Sequence, residues 1–119
     1  MSIEALWWFE TPDMVTPGPP LSSVVVVESG RLLGGDSVLA IVGDYEVRNG
    51  IITGKARSFQ YNPHVTARNV FNMQTPIDYI AGFEVVIGDD PQIMRGHVWP
   101  LQAPHLRLPL TMRRIAELP

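Results

Sequence analysis

The chain has 119 residues, of which 45% are hydrophobic and 18% charged, and its formal net charge is −3. This length and composition are typical of one globular domain, which we expect to span residues 1–119. Because 9 Lys and Arg face 12 Asp and Glu, direct binding to DNA or RNA is not expected. No cysteine is present and no apolar run reaches the roughly 20 residues of a membrane-spanning helix, so we expect a soluble, cytoplasmic protein without membrane contact.

Ten glycines and 11 prolines interrupt the chain at short intervals, and the apolar runs between them are too short for ordinary helices. Enrichment in Val, Ile and aromatic residues predicts seven or eight strands, at residues 3–10, 23–28, 31–34, 37–47, 51–61, 78–87, 93–99 and 105–112. The proline-rich residues 11–20 are expected to form an irregular loop, and residues 62–76 a loop with one helical turn.

The first predicted hairpin closes at Asn49-Gly50, because both residues accept the positive φ of a type I′ turn. Pairing outward from this turn sets Tyr45 opposite Gly54 on one face and Asp44 opposite Lys55 on the other. The first face pairs large with small residues, as the interior of a closed barrel requires. The second face carries an opposite-charge pair suited to water. The hairpin thereby assigns the inside and the outside of the sheet.

The second predicted hairpin turns at Asp89-Asp90, a residue pair that favours turns. Pairing outward from it sets Phe83 opposite Gly96 inside and Glu84 opposite Arg95 outside. Adjacent carboxylates in a turn point in different directions and lack the apolar enclosure that raises a pKa for acid catalysis. We therefore expect this acidic pair to have a turn role.

The third predicted hairpin is centred on Leu101, which sets Gly96 opposite Leu106 inside and His97 opposite His105 outside. Two histidines without a third ligand do not define a metal site, so neither a metal nor a cofactor is expected. Hairpins between sequential strands favour an all-β fold, a single up-and-down antiparallel β-barrel of seven to eight strands. The candidate interior or cavity residues are Ile41, Tyr45, Phe83, Met94, Leu106 and Leu108.

Sequence motifs for catalysis are missing, because the chain holds no nucleophile elbow, dinucleotide fingerprint or phosphate loop. We therefore expect no catalytic residues and no enzyme. The segment Gly34-Gly35-Asp36-Ser37 is interpreted as a barrel corner or bulge. Two glycines break a strand sharply, and Asp36 can accept hydrogen bonds from backbone amides two residues further on.

The predicted outer face of the barrel is more apolar than expected for a sheet face in contact with water. Residues 7–9 and 24–27 are apolar on both faces, and a further outward group consists of Val38, Ala40, Val42, Phe59 and Tyr61. Contiguous exposed apolar area usually marks association, so we interpret this group as a homodimer interface. The alternative is a wall covered by the proline-rich loop.

Residues 24–37, which run from four valines to Gly34-Gly35-Asp36, resemble the strand, turn and Gly-Gly-Asp segment of the GrlR-like family. These small β-barrel proteins are named for a negative regulator of type III secretion gene expression. The resemblance continues through Gly43-Asp44-Tyr45 and residues 52–61, and it covers most of the chain from Val24 onward. It implies an eight-stranded lipocalin-like barrel that dimerises through its walls and sequesters a transcriptional activator. The regulator's hairpin tip is acidic, whereas the matching residues 46–50 are of mixed charge.

Two functions remain open at this point. The first is a non-enzymatic negative regulator that binds an activator protein, with Asp44, Glu46, Asp89 and Asp90 as the acidic candidates for partner binding. The second is a carrier of a small apolar or lipid-like ligand. Eight-stranded barrels are either filled by their own side chains or hold one ligand, and the sequence does not decide between these.

Overall fold

The computed structural model of the protein describes residues 2–12, 21–64 and 77–119. In these ranges lie the eight strands β1 (Ala5–Thr11), β2 (Leu21–Glu28), β3 (Arg31–Gly35), β4 (Leu39–Arg48), β5 (Ile51–Gln60), β6 (Asp78–Val86), β7 (Ile93–Pro100) and β8 (Leu108–Ala116). Each strand pairs with its neighbours in the chain, and β1 also pairs with β8. The predicted up-and-down antiparallel β-barrel is therefore confirmed, with eight strands. The helical turn predicted within residues 62–76 and most of the loop at 11–20 lie outside the described residues.

The two ends of the barrel differ in what they carry. The termini and the β2–β3, β4–β5 and β6–β7 connections lie at one end, here called the lower end. The β3–β4 and β7–β8 connections lie at the opposite, upper end, where β1 and β5 end and β2 and β6 begin. Buried and more exposed residues alternate along most of the strands, so that Ala5 and Trp7 of β1 are buried while Trp8 is exposed. This alternation separates a lumen from an outer face.

The β4–β5 hairpin has the predicted turn and the predicted register. Asn49 and Gly50 have φ values of 52° and 75°, as a type I′ turn requires. Tyr45 pairs with Gly54, and Asp44 pairs with Lys55. The assignment of inner and outer positions on these strands is confirmed.

The predicted register of the β6–β7 hairpin is wrong by two positions. Glu84 pairs with His97, not with Arg95, and Phe83 pairs with Val98, not with Gly96. The connection is longer than a tight turn and spans residues 87–92, where the side chain of the Asp at position 90 accepts a hydrogen bond from the amide of residue 92 at 2.8 Å. A shift of two positions keeps every side chain on its predicted face.

The predicted register of the β7–β8 hairpin is wrong by four positions. His97 pairs with Pro109, so its predicted pairing with His105 does not occur. Leu106 does not pair with Gly96 and lies outside the strands, because β8 begins only at Leu108.

Two successive turns account for this difference. The amide of Ala103 donates to the carbonyl of Pro100 at 3.1 Å, and the amide of Leu106 donates to the carbonyl of Ala103 at 3.0 Å. Pro104 occupies the second position of the latter turn, where its fixed φ is favourable. The connection is therefore too long for the tight hairpin that was predicted.

The lower part of the core contains a close approach at Gly54. A Cβ atom placed there would meet the carbonyl oxygen of Asp44 and would lie 2.7 Å from Cζ of Phe83 and 2.9 Å from Cα of Tyr45. Tyr45 is half-buried and packs against the buried core. A side chain at position 54 would require backbone on β4 to move.

We expect Gly54→Val to lower the free energy of unfolding by roughly 1 to 3 kcal/mol, because the site is already full. Gly88→Val is the matched control, since a Cβ at that position has nothing within 4 Å. Urea denaturation of both variants measures the difference. Equal destabilisation by the two substitutions would contradict the predicted close packing.

Candidate binding sites

The first candidate site is a continuous apolar area on the outside of the barrel, here called the outer apolar wall. Two rows of outward-facing residues cross neighbouring strands in register. The first row is Leu6, Val26, Leu33 and Val42, and the second row is Trp8, Val24, Gly35, Ala40 and Phe59. Val24, Leu33 and Val42 are 41%, 44% and 49% exposed. A sheet face in water normally alternates with polar residues, so these rows form an exposed apolar patch.

The predicted interface residues contribute only part of this wall. Ala40, Val42 and Phe59 belong to it. Val38 and Tyr61 lie just beyond the strands at the upper end, where the Tyr61 amide donates to the Val38 carbonyl at 3.1 Å. The remaining members come from β1, β2 and β3. The sequence indicated that those segments are apolar on both faces but did not predict the pairings that join them to β4.

Ion pairs border the outer apolar wall on both sides. On the β5–β6 side, Arg57 donates two hydrogen bonds to the Asp78 carboxylate, at 2.8 and 2.9 Å, and its guanidinium lies 4.3 Å from the centre of the Phe59 ring. On the β1–β8 side, Arg113 lies 3.3 Å from the Glu10 carboxylate. An apolar centre with a polar border is the arrangement found in protein interfaces.

The hydrogen bonds between Arg57 and Asp78 lower the pKa of the Asp78 carboxyl and raise the pKa of the Arg57 guanidinium. An acid with a lowered pKa in the folded state contributes stability above its ordinary pKa. That contribution is lost as the pH falls through the lowered value. The pair is exposed to solvent, so its contribution is small.

We expect Asp78→Asn to reduce the urea midpoint slightly at neutral pH and to have no effect below the lowered pKa. There, the wild-type carboxyl is also neutral. Urea midpoints of both proteins, measured from about pH 7 down to about pH 2, follow this convergence. A difference that grows towards low pH would contradict the sign of the shift.

The Gly34-Gly35-Asp36-Ser37 segment forms the β3–β4 corner at the upper end. Asp36 Oδ1 accepts hydrogen bonds from the amides of Val38 and Leu39, both at 2.8 Å, and Asp36 Oδ2 accepts one from the Ser23 hydroxyl at 2.6 Å. Gly35 has φ 148°, a value that other residues rarely adopt. These contacts give Asp36 a structural role at the corner.

The four acidic candidates for partner binding are all exposed, but they do not form one acidic surface. Asp44 pairs in register with Arg31 on one side and Lys55 on the other. Glu46 lies 3.8 Å from Arg48. The other two, Asp89 and Asp90, lie in the β6–β7 connection at the same end of the barrel. Cations thus balance the acidic groups on β4.

The second candidate site is a cavity of about 100 Å³ inside the barrel. Ile41, Phe83 and Met94 line it, as the sequence predicted. Tyr45 and Leu108 are not among the lining residues. Leu106 is not either, because it lies in the turn before β8. Among the described lining residues, only Thr11 and Ser58 are polar, and neither was a candidate from the sequence.

An inward-facing arginine closes the lower end beneath this cavity. Its side chain, that of Arg114, is only 5% exposed and lies 3.1 Å from the Glu117 carboxylate. Arg114 also donates to the carbonyls of Ser2 and Pro91 at 2.6 and 3.2 Å, and its guanidinium lies 5.0 Å from the centre of the Trp7 ring. This residue therefore ties both termini and the β6–β7 connection together. The inward pattern of residues 108, 110 and 112 was the signal that could have revealed it.

No protein-family model matches the chain, and no match is found among curated proteins. The resemblance to GrlR-like proteins stays a prediction. Within residues 2–12, 21–64 and 77–119, no group of three His, Asp or Glu side chains could hold a metal ion. The same ranges contain no helix that is long and apolar enough to cross a membrane.

We expect Arg114→Met to lower the free energy of unfolding by about 2 to 4 kcal/mol, because several hydrogen bonds to a charged, buried group are lost. Arg113→Met is the control. Its side chain is 41% exposed and makes one ion pair, so a loss of about 1 kcal/mol or less is expected. Urea denaturation compares the two, and an equal loss would show that Arg114 does not hold the lower end together.

Proposed function

We propose that this protein is a non-enzymatic binding protein that acts through protein–protein association, with a second copy of itself bound through the outer apolar wall. The observation that carries this proposal is the register, which brings outward-facing apolar residues from β1 to β5 into two adjacent rows. Exposed apolar area is unfavourable in water by about 25 cal/mol per Å². Covering the wall would recover that free energy.

The shape and charge of the wall favour a second copy as the occupant. Five neighbouring strands at about 4.8 Å spacing make it roughly 19 Å wide. Its rows contain no charged side chain, so two copies related by a two-fold axis would meet without repulsion. The bordering pairs, Arg57 with Asp78 and Arg113 with Glu10, would supply the polar rim.

The resemblance to GrlR-like proteins supports a further role, negative regulation by binding a transcriptional activator. Asp44, Glu46, Asp89 and Asp90 are the proposed contacts for the basic surface of such a partner. Because Arg31, Lys55 and Arg48 accompany the first two, the charge attraction would be weaker than at an acidic hairpin tip. The activator and the cytoplasmic location are predictions from the sequence.

We expect wild-type protein to be a dimer at tens of micromolar, a concentration at which interfaces of about standard size hold. Val42→Asp should dissociate it and leave the barrel folded, because the new charge lies on the wall and away from the lumen. Light scattering measures the mass, and circular dichroism confirms the fold.

Val86→Asp is the matched control for this experiment. Val86 is 50% exposed, against 49% for Val42, but it lies on β6 near the lower end. Ile80 is the β6 residue in register with the first row, and Val86 is six residues further along the strand. The distance between these two positions is about 20 Å. This variant should remain a dimer. A monomeric wild type, or dissociation of both variants, would overturn the proposed interface.

A further inference from the structure

We propose that the cavity inside the barrel binds a small, neutral, apolar molecule with one hydroxyl group, which hydrogen-bonds to Thr11 or to Ser58. Thr11 and Ser58 are 5% and 8% exposed, and both line the cavity. Among the described residues neither hydroxyl has a hydrogen-bond partner. Buried polar groups are almost always hydrogen-bonded, so two unpartnered hydroxyls on one apolar cavity indicate a missing partner.

The barrel topology places the two hydroxyls in suitable positions for one ligand. β1 and β5 are four strands apart in a closed barrel of eight, so Thr11 and Ser58 lie on opposite sides of the lumen. Both strands run towards the upper end, and both residues lie within the last three positions of their strands. A ligand hydroxyl at the upper end of the cavity can donate to, or accept from, either of them. The apolar part of the ligand would then point towards the lower end, which Trp7 and Arg114 close.

The composition of the lining decides the charge of the ligand. None of the lining residues that the structure describes is charged. The nearby Arg114 is engaged by Ser2, Pro91 and Glu117. A buried carboxylate without a cation is strongly disfavoured, which excludes a fatty-acid anion as the preferred ligand. A neutral alcohol or phenol meets the requirements of the site.

The volume decides the size of the ligand. At about 100 Å³, the cavity is somewhat smaller than the engineered apolar cavity of about 150 Å³ that binds benzene. Met94 and Met112 pair across β7 and β8, and both line the cavity. Their unbranched side chains can adjust to a guest. A single six-membered ring is therefore the appropriate size of probe.

Phenol and toluene form a matched pair of probes, because they differ by a hydroxyl in place of a methyl group. Titration of each into the full chain, followed by NMR of the methionine methyl groups, gives the dissociation constants. We expect saturable shifts at Met94 and Met112, and phenol to bind at least about fivefold more tightly than toluene, as one hydrogen bond implies.

Thr11→Val and Ser58→Ala remove the hydroxyls with little change in shape. Each should reduce the preference for phenol, and together they should abolish it while toluene binding persists. Thr53→Val is the control, because Thr53 is an exposed position on β5, and it should leave the preference unchanged.

Two results would overturn the proposal. The first is the absence of saturable binding by either probe, which would mean that the space is a packing void or holds only water. The second is a phenol preference that survives in the double variant. Neither result affects the proposed dimer, which the Val42→Asp experiment tests separately.

Discussion

Closure of the sheet by the pairing of β1 with β8 is the constraint on which the rest of the structure depends. Once the sheet is closed, alternate residues of every strand must face either a narrow lumen or the surroundings. The register shifts by one residue between Leu6 and Trp7, and Ile115 is left unpaired. Arg114 faces the lumen next to Trp7, and the hydrogen bonds of its guanidinium close the lower end.

Closure also makes the two candidate sites physically independent. The outer apolar wall consists of outward residues on β1 to β5, whereas the cavity is lined by inward residues of all eight strands. Leu32 lines the cavity and Leu33, its neighbour in the chain, lies on the wall. A single barrel can therefore carry a surface for a macromolecule and a lumen for a small molecule without sharing a side chain between them.

The barrel could be predicted although two hairpin registers were wrong. Those registers were shifted by two and four residues, and a shift by an even number of residues leaves each side chain on its predicted face of the sheet. Asn49-Gly50 fixed one hairpin, since only that turn chemistry suits those two residues. The β6–β7 and β7–β8 connections contain several residues that favour turns, and the sequence did not show at which residue the strand pairing ends. Thr11, Ser58 and Arg114 were missed for a different reason. Their significance depends on what faces them across the lumen, which pairing between neighbouring strands does not reveal.

The bond between Arg114 and the Ser2 carbonyl spans 112 positions of the chain. The same ends of the chain meet in the pairing of β1 with β8. All other strand pairings join consecutive strands and can form early. The β1–β8 pairing must bring the two ends of the polypeptide together and is expected to be slow. Until it occurs, β1 and β8 are free edges that can pair with another molecule. The chain therefore has a folding route to domain-swapped assembly, for which refolding kinetics that depend on protein concentration would be the signature.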